Sequence, residues 1–273
     1  MRTLPELECP VKSLYNTRMP APLKIIAVLP AYNAERTLRE TLNDIPPNTV
    51  DEVLLVDDAS TDRTVAVARE LGLTAIVHPR NRGYGGNQKT CYTEALNRGA
   101  DIVLMLHPDH QYHPKYIPEL LQPLRDGRAD AVFGSRMLIR GGAQDGGMPT
   151  WKRLANIALT RIANAVLGLR LSEYHSGFRA YSRRYLETVP FSANSDDFVF
   201  DTEIIVQGKI AGMRFVETPI ETAYFPEASQ IGLRRSVVYG VSILRTLGDY
   251  LRWRAGWSRD ERFSLRQVLA LVR

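Results

Sequence analysis

Only two cysteines, Cys9 and Cys91, occur in 273 residues. They are too few for a disulfide scaffold and lack metal-ligand spacing, so a reducing compartment is expected. No run of about 18 uninterrupted apolar residues is present, which argues against a conventional membrane-spanning helix. The opening segment, MRTLPELECPVKSL, has no apolar core of the kind a secretory leader needs. Glycine (19) and proline (16) are near average abundance, which rules out collagenous and low-complexity chains. What is present, 44% apolar and 24% charged side chains, is the composition of a globular protein long enough to bury a core.

The net charge of +5 is unevenly spread. Residues 229–273 carry nine arginines against Asp249, Asp260 and Glu261, a net of +6, whereas residues 1–228 hold 26 basic and 27 acidic side chains. A basic excess confined to one end suggests an anionic surface or ligand nearby, or simply a solvated helical face. The segment has no nucleic-acid-binding motif, so no nucleic-acid partner is expected.

Residues 1–23, with Pro5, Pro10, Pro20 and Pro22, read as an irregular lead-in. From there to about residue 134, short apolar runs alternate with helical patterns. The strands expected are 25–29, 53–56, 74–77, 102–106 and 131–133. Ser60 and Thr61 look like the N-cap of a helix ending at Gly72, and a loop from Gly83 to Asn87 precedes a helix over 88–98. Such alternation requires crossover connections and a mostly parallel sheet with helices on both faces, where ligands bind at the carboxyl ends of the strands. The residues found there are Pro30-Ala31-Tyr32-Asn33, Asp57-Asp58, the Gly83–Asn87 loop and His107-Pro108-Asp109. Beyond a glycine-rich loop at 140–149 come two amphipathic helices, 151–167 and 236–254. The first has the polar stripe Arg153, Asn156, Thr160 and Asn164. Packing into the core or lying in a membrane interface would each explain such faces.

Taken one at a time these motifs are ambiguous: Asp58-Ala59-Ser60-Thr61-Asp62 could be helix capping, and Asp109 could simply start a turn. The glycine loop is neither a G-x-G-x-x-G dinucleotide motif nor a Walker A loop. In order, however, they are far more specific. Pro30-Ala31-Tyr32-Asn33, Val56-Asp57-Asp58-Ala59-Ser60-Thr61-Asp62, Arg82-Gly83-Tyr84-Gly85 and Pro108-Asp109-His110-Gln111 together resemble the family 2 glycosyltransferases of the GT-A fold. Gly134-Ser135-Arg136, Ser176-Gly177-Phe178-Arg179 and the segment 197–203 look like the dolichyl- and polyprenyl-phosphate sugar synthase branch, and the resemblance covers residues 24–225.

The resemblance implies a GT-A domain over 24–228, followed by a basic helical segment over 229–273. It implies an inverting transferase that moves a hexose from a GDP- or UDP-sugar to a polyprenyl phosphate. The enzyme would be cytoplasmic and peripheral on the inner face of the membrane. Pro30, Tyr32 and Asn33 match the loop around base and ribose, Asp57 the nucleotide-binding carboxylate and Asp58 its neighbour. His107-Pro108-Asp109-His110-Gln111 stands where the family has Asp-x-Asp-x-Gln, so Asp109 and Gln111 match and His107 departs. A divalent metal, Mg²⁺ or Mn²⁺, is implied at Asp109. His107 is either a second ligand, which would suit Mn²⁺ better than Mg²⁺, or a diphosphate contact.

Arg136 resembles the arginine that faces diphosphate or acceptor. Lys152 and Arg153 match cations near the acceptor phosphate. The family's late basic segment is missing at Tyr224–Ser229, and Arg234 and Arg235 downstream are assigned its role. Asp197 lies about where hydroxyl-using relatives carry a base. A hydroxyl acceptor on a glycan or glycolipid therefore stays open beside the phosphate, as does a non-catalytic nucleotide-sugar-binding protein.

Overall fold

The structure is a computed structural model that describes residues 22–139, 147–222 and 232–265. The lead-in to residue 21, most of the 140–149 loop and the Tyr224–Ser229 segment lie outside the described residues. The five strands expected from the sequence are present: β1 Ile25–Ala31, β2 Glu52–Asp57, β3 Thr74–Val77, β4 Ile102–Met105 and β5 Ala131–Ser135. Two more, β6 Arg179–Ser182 and β7 Phe215–Pro219, complete a seven-stranded sheet of order β3-β2-β1-β4-β6-β5-β7. All pairings are parallel except those of β6, which runs antiparallel to both β4 and β5.

The helices are α1 Leu38–Asn43, α2 Thr64–Glu70, α3 Tyr84–Asn97, α4 Ile117–Arg125, α5 Thr150–Leu167, α6 Arg183–Thr188, α7 Phe200–Ile210 and α8 Leu233–Arg254. Alternate residues of each central strand point to opposite faces, and both faces are covered. Ile26 and Val28 of β1 pack with Tyr92 of α3, Ile204 of α7 and Leu247 of α8. Ile25, Ala27 and Leu29 pack with Leu38 of α1, Ala68 of α2 and Leu120 of α4. Double burial explains why these strands read as unbroken apolar runs rather than alternating ones.

Two local expectations are corrected. Ser60 and Thr61 do not cap α2, which begins at Thr64, where Asp62 accepts from the Thr64 amide at 2.9 Å. They instead join two strand-end loops: Ser60 Oγ accepts from the Asn33 amide, and Asn33 Oδ1 accepts from the Thr61 amide, at 2.8 and 2.9 Å. The glycine-rich stretch is also no free loop, because Gly85, Gly86 and Asn87 form the first turn of α3. A Cβ at Gly85 would collide with the Ser195 carbonyl, and the Gly85 amide donates to the Asp196 carbonyl at 2.8 Å. Glycine here permits two backbones to meet.

α5 places polar groups inside, and both α5 and α8 leave apolar groups outside. Asn156 and Thr160 are buried, and Asn164 hydrogen-bonds both the amide and the carbonyl of Leu171. Trp151, Leu154 and Ile162 of α5 are exposed, as are Val237, Val238, Val241 and Leu244 of α8. The inner face of α8, with Ile243, Leu247 and Tyr250, joins the same core as the sheet. Arg262 then locks the helix end in place by pairing with Glu203, Asp249 and Asp260 at 2.6–2.8 Å.

Asn33, Ala59 and His110 have positive φ and sit just past the carboxyl ends of β1, β2 and β4. Alanine at φ 61° bears the Cβ strain that glycine avoids. Ala59→Gly is therefore expected to stabilise the protein by about 1 kcal/mol in denaturant unfolding. A destabilisation would contradict this account of the turn.

Candidate active site

One cavity of about 790 Å³ opens at the carboxyl ends of β1, β2 and β4. It gathers Pro30, Tyr32 and Asn33 from β1, Asp58 from β2, and His107, Pro108, Asp109 and Gln111 from β4. The far wall is built by His175 and Gly177 ahead of β6, by Asp197 and Phe198 ahead of α7, and by Arg235, Val238, Tyr239 and Ser242 of α8. The sequence-expected residues Asp57, Arg136, Lys152, Arg153 and Arg234 do not line it.

Each wall has a local reason for its shape. Tyr32 is 55% exposed and presents an open ring at the mouth. Asp58 is buried at the base of the wall, where its carboxylate accepts from His78 Nδ1 and from the Arg82 and Gly83 amides at 2.8–3.0 Å. It thereby fixes the start of α3 against the cavity. Asp57 is placed differently from the expectation: period-two alternation turns it to the α1/α2 side of the sheet. There it is fully buried and accepts from the Ser60 amide at 3.0 Å. Asp57 thus lies outside the cavity lining, its Oδ1 without a hydrogen-bond partner among the described residues, and Asp58 is the carboxylate that reaches the cavity.

His107 and Asp109 flank Pro108 where β4 ends. The His107 ring lies parallel to Tyr84, with centroids 5.5 Å apart, and its Cδ2–Nε2 edge meets Gly177, where an added Cβ would stand 2.7 Å from the imidazole. Burial lowers the affinity of this imidazole for a proton, with Asp109 opposing. The ring is therefore neutral at physiological pH and keeps a nitrogen lone pair. Asp109 Oδ1 accepts from the Gln111 amide at 3.1 Å. Among the described residues no group of three or more His, Cys, Asp or Glu side chains could enclose a metal. The donor set therefore fits an ion held by at most His107 and Asp109, its remaining positions open to substrate oxygens and water.

Arg136 and Lys152 form a second, neighbouring cationic group. Arg136 is buried and its guanidinium pairs with Glu173, Nε at 2.8 Å, while Asn156 of α5 donates to the same oxygen at 2.9 Å. Burial and the charge of Arg136 together lower the Lys152 pKa. Arg153 and Arg234 lie outside the cavity at the start of α5 and α8. Asp197 is exposed on the rim, and its Oδ1 accepts from the Phe198 amide at 2.7 Å. Sequence reasoning missed His175 and Tyr239. Only His175 had a local signal, since it directly precedes the Ser176-Gly177-Phe178-Arg179 motif.

The chain matches the family described as Glycosyl transferase family 2 over residues 26–189. It is 28% identical to a UDP-N-acetylglucosamine–dolichyl-phosphate N-acetylglucosaminyltransferase of Methanococcus voltae, over 73% of this chain and 86% of that one. It is also 28% identical to an undecaprenyl-phosphate mannosyltransferase of Micrococcus luteus, over 72% and 83%. Among solved structures it resembles glucosyl-3-phosphoglycerate synthase from Mycobacterium tuberculosis in complex with Mn²⁺, UDP-glucose and phosphoglyceric acid. That likeness has a TM-score of 0.65 at 22% identity, over 87% of this chain and 81% of that one. The same enzyme is also known with Mg²⁺ and UDP. The shared architecture is GT-A.

Gly177→Ala is expected to force the His107 ring aside and to cost about 1–3 kcal/mol in denaturant unfolding, the range for overpacking a close contact. An unchanged midpoint would contradict the packing of His107 on this glycine.

Proposed function

This chain belongs to glycosyl transferase family 2 and is a glycosyltransferase of GT-A fold, and from that premise we propose that it moves a hexose from a GDP- or UDP-sugar, with inversion, to a polyprenyl phosphate at a membrane surface. The observation that carries the acceptor assignment is the continuity between cavity and apolar surface. Val238 of α8 lines the cavity and is 54% exposed, and Val237, Val241 and Leu244 extend the apolar stripe outward from it. A polar headgroup in the cavity thus has an apolar path for its chain.

In this reading Tyr32, Pro30, Asn33 and Asp58 hold the nucleoside. Pro108 and Gln111 shape the floor under the diphosphate, and Asp109 with His107 would hold a divalent ion. When bound, that ion offsets the charge that develops on the departing diphosphate, an effect greater in the transition state than in the ground state. Arg136, whose charge is paired with Glu173, and Lys152 do not line the cavity and would act on the acceptor phosphate only through their field. Arg153, Arg234 and Arg235 supply the surrounding positive field, Arg235 from within the cavity wall. The phosphate oxygen is ionised at neutral pH and attacks the anomeric carbon as the diphosphate leaves, so no general base is needed.

The exposed stripes of α5 and α8, with Trp151 and the 82%-exposed Trp257, suit a lipid interface, and the nearby arginines suit anionic headgroups. No described helix is long and apolar enough to cross a membrane, and peripheral contact on the cytoplasmic side is the proposed arrangement. The placement of Asp197 on the cavity rim favours a second reading, transfer to a hydroxyl with Asp197 as base.

The product separates the two readings. A radiolabelled sugar transferred to a short polyprenyl phosphate is expected to be released by mild acid, as a sugar phosphodiester is, whereas an acid-stable glycoside would establish the hydroxyl acceptor instead. Asp109→Asn is expected to lower metal-dependent turnover by roughly 100-fold, the scale of losing one group that stabilises a developing charge. Turnover equal to wild type across a metal titration would remove Asp109 from the site.

A further inference from the structure

His175 is an unassigned polar group in the cavity wall. Its Nδ1 lies 3.0 Å from the Tyr239 hydroxyl, and the two rings meet edge to face with centroids 5.6 Å apart. Its Nε2 is buried and has no hydrogen-bond partner among the described residues. A buried nitrogen left without a partner is destabilising, so its persistence calls for an explanation. The backbone on either side is held rigidly, because the Arg179 guanidinium donates to the Tyr174 carbonyl at 2.8 Å and to the Ser176 carbonyl at 2.6 Å. The ring is therefore carried on a fixed backbone where it lines the cavity.

We propose that His175 contacts the acceptor, donating its Nε2–H to an oxygen of the acceptor phosphate, and that Tyr239 is the positioning residue that sets this tautomer by donating its hydroxyl proton to Nδ1. The inference rests on the polyprenyl-phosphate reading above and names a further residue of that site. Three observations converge on it. His175 lies within electrostatic reach of Arg136, the same arginine that acts on Lys152. The ring stays neutral, since burial first and Arg136 and Arg179 in addition push its pKa down to about 4 against the opposing pull of Glu173. Burial also holds the Tyr239 phenol well above its ordinary range, so that hydroxyl retains the proton it donates. A neutral donor is suited to an already charged nucleophile, because it orients the oxygen without neutralising it as a protonated imidazole would.

The test compares wild type with His175→Ala, His175→Gln and Tyr239→Phe. The readouts are KM and kcat for a short-chain polyprenyl phosphate and, separately, calorimetric affinity for UDP or GDP with Mn²⁺. His175→Ala is expected to raise the acceptor KM roughly 10- to 100-fold, the loss of one hydrogen bond to a charged oxygen, with nucleotide affinity unchanged. His175→Gln, which keeps an N–H donor, is expected to recover part of that loss, and Tyr239→Phe to give a smaller rise in the same KM. ¹⁵N NMR of the wild type, with the His175 signals identified by their loss in His175→Gln, is expected to show the Nε2–H tautomer.

An unchanged acceptor KM in His175→Ala, an equal fall in nucleotide affinity, or an Nδ1–H tautomer would each overturn the assignment while leaving the proposed reaction intact. A wild type that glycosylates no polyprenyl phosphate would overturn both.

Discussion

One buried carboxylate, Asp201, holds together the three segments that frame the cavity. The Tyr84 hydroxyl donates to it at 2.8 Å and Gln88 at 3.2 Å, which anchors the start of α3. The Arg179 guanidinium lies 3.5 Å from it. Through the same guanidinium, the carbonyls of Tyr174 and Ser176 are drawn into place, along with that of Asp201 itself. Arg179 and Asp201 are 1% and 4% exposed, and the guanidinium also stacks 5.0 Å above the Phe133 ring. A buried pair of this kind need not add stability over an apolar substitute, but removing one partner leaves a stranded charge, which costs about 3–5 kcal/mol. Its effect is geometric. The His107 ring is confined between Tyr84, placed by Asp201, and Gly177, placed by the loop that Arg179 grips.

A second constraint is the inverted polarity of α5. Glu173 is buried beside Arg136 and draws Asn156 of α5 inward, so the polar stripe of that helix serves the site and cannot face water. The apolar residues are left outside, and α8, whose inner face is itself apolar, also leaves Val237, Val238, Val241 and Leu244 exposed. Such faces are stable in water only at a cost that a lipid interface would remove. Under the proposed function, α8 would bring Arg235 to the cavity wall and an apolar stripe to the lipid surface. Such an arrangement would tie where the enzyme sits to what it acts upon.

Much of the fold was legible because doubly buried strands leave apolar runs that no other element mimics at that length. The first five strands, and the gathering of their end loops at one edge, followed from alternation alone. β6 was hidden because its first residue is an arginine, and only tertiary contacts reveal that Arg179 is buried. Asp57 and Asp58 could not be told apart by spacing, since side-chain alternation sends neighbours to opposite sides and the loop geometry decides which one meets the cavity. The polar stripe of α5 gave the right periodicity but could not show which way it faces, because that depends on Glu173, lying 17 residues beyond Asn156. Likewise the pairing of His175 with Tyr239 spans 64 residues, a distance over which local pattern carries no information.

The central claim is that these strand ends, with α8 closing the far side, form one nucleotide-sugar site. A crystal structure with Mn²⁺ and UDP or GDP, using the anomalous signal of manganese, tests it most directly. The account predicts manganese within bonding distance of Asp109, with the diphosphate beside it and the base near Tyr32. Nucleotide bound elsewhere, or manganese held by residues away from the end of β4, would contradict it.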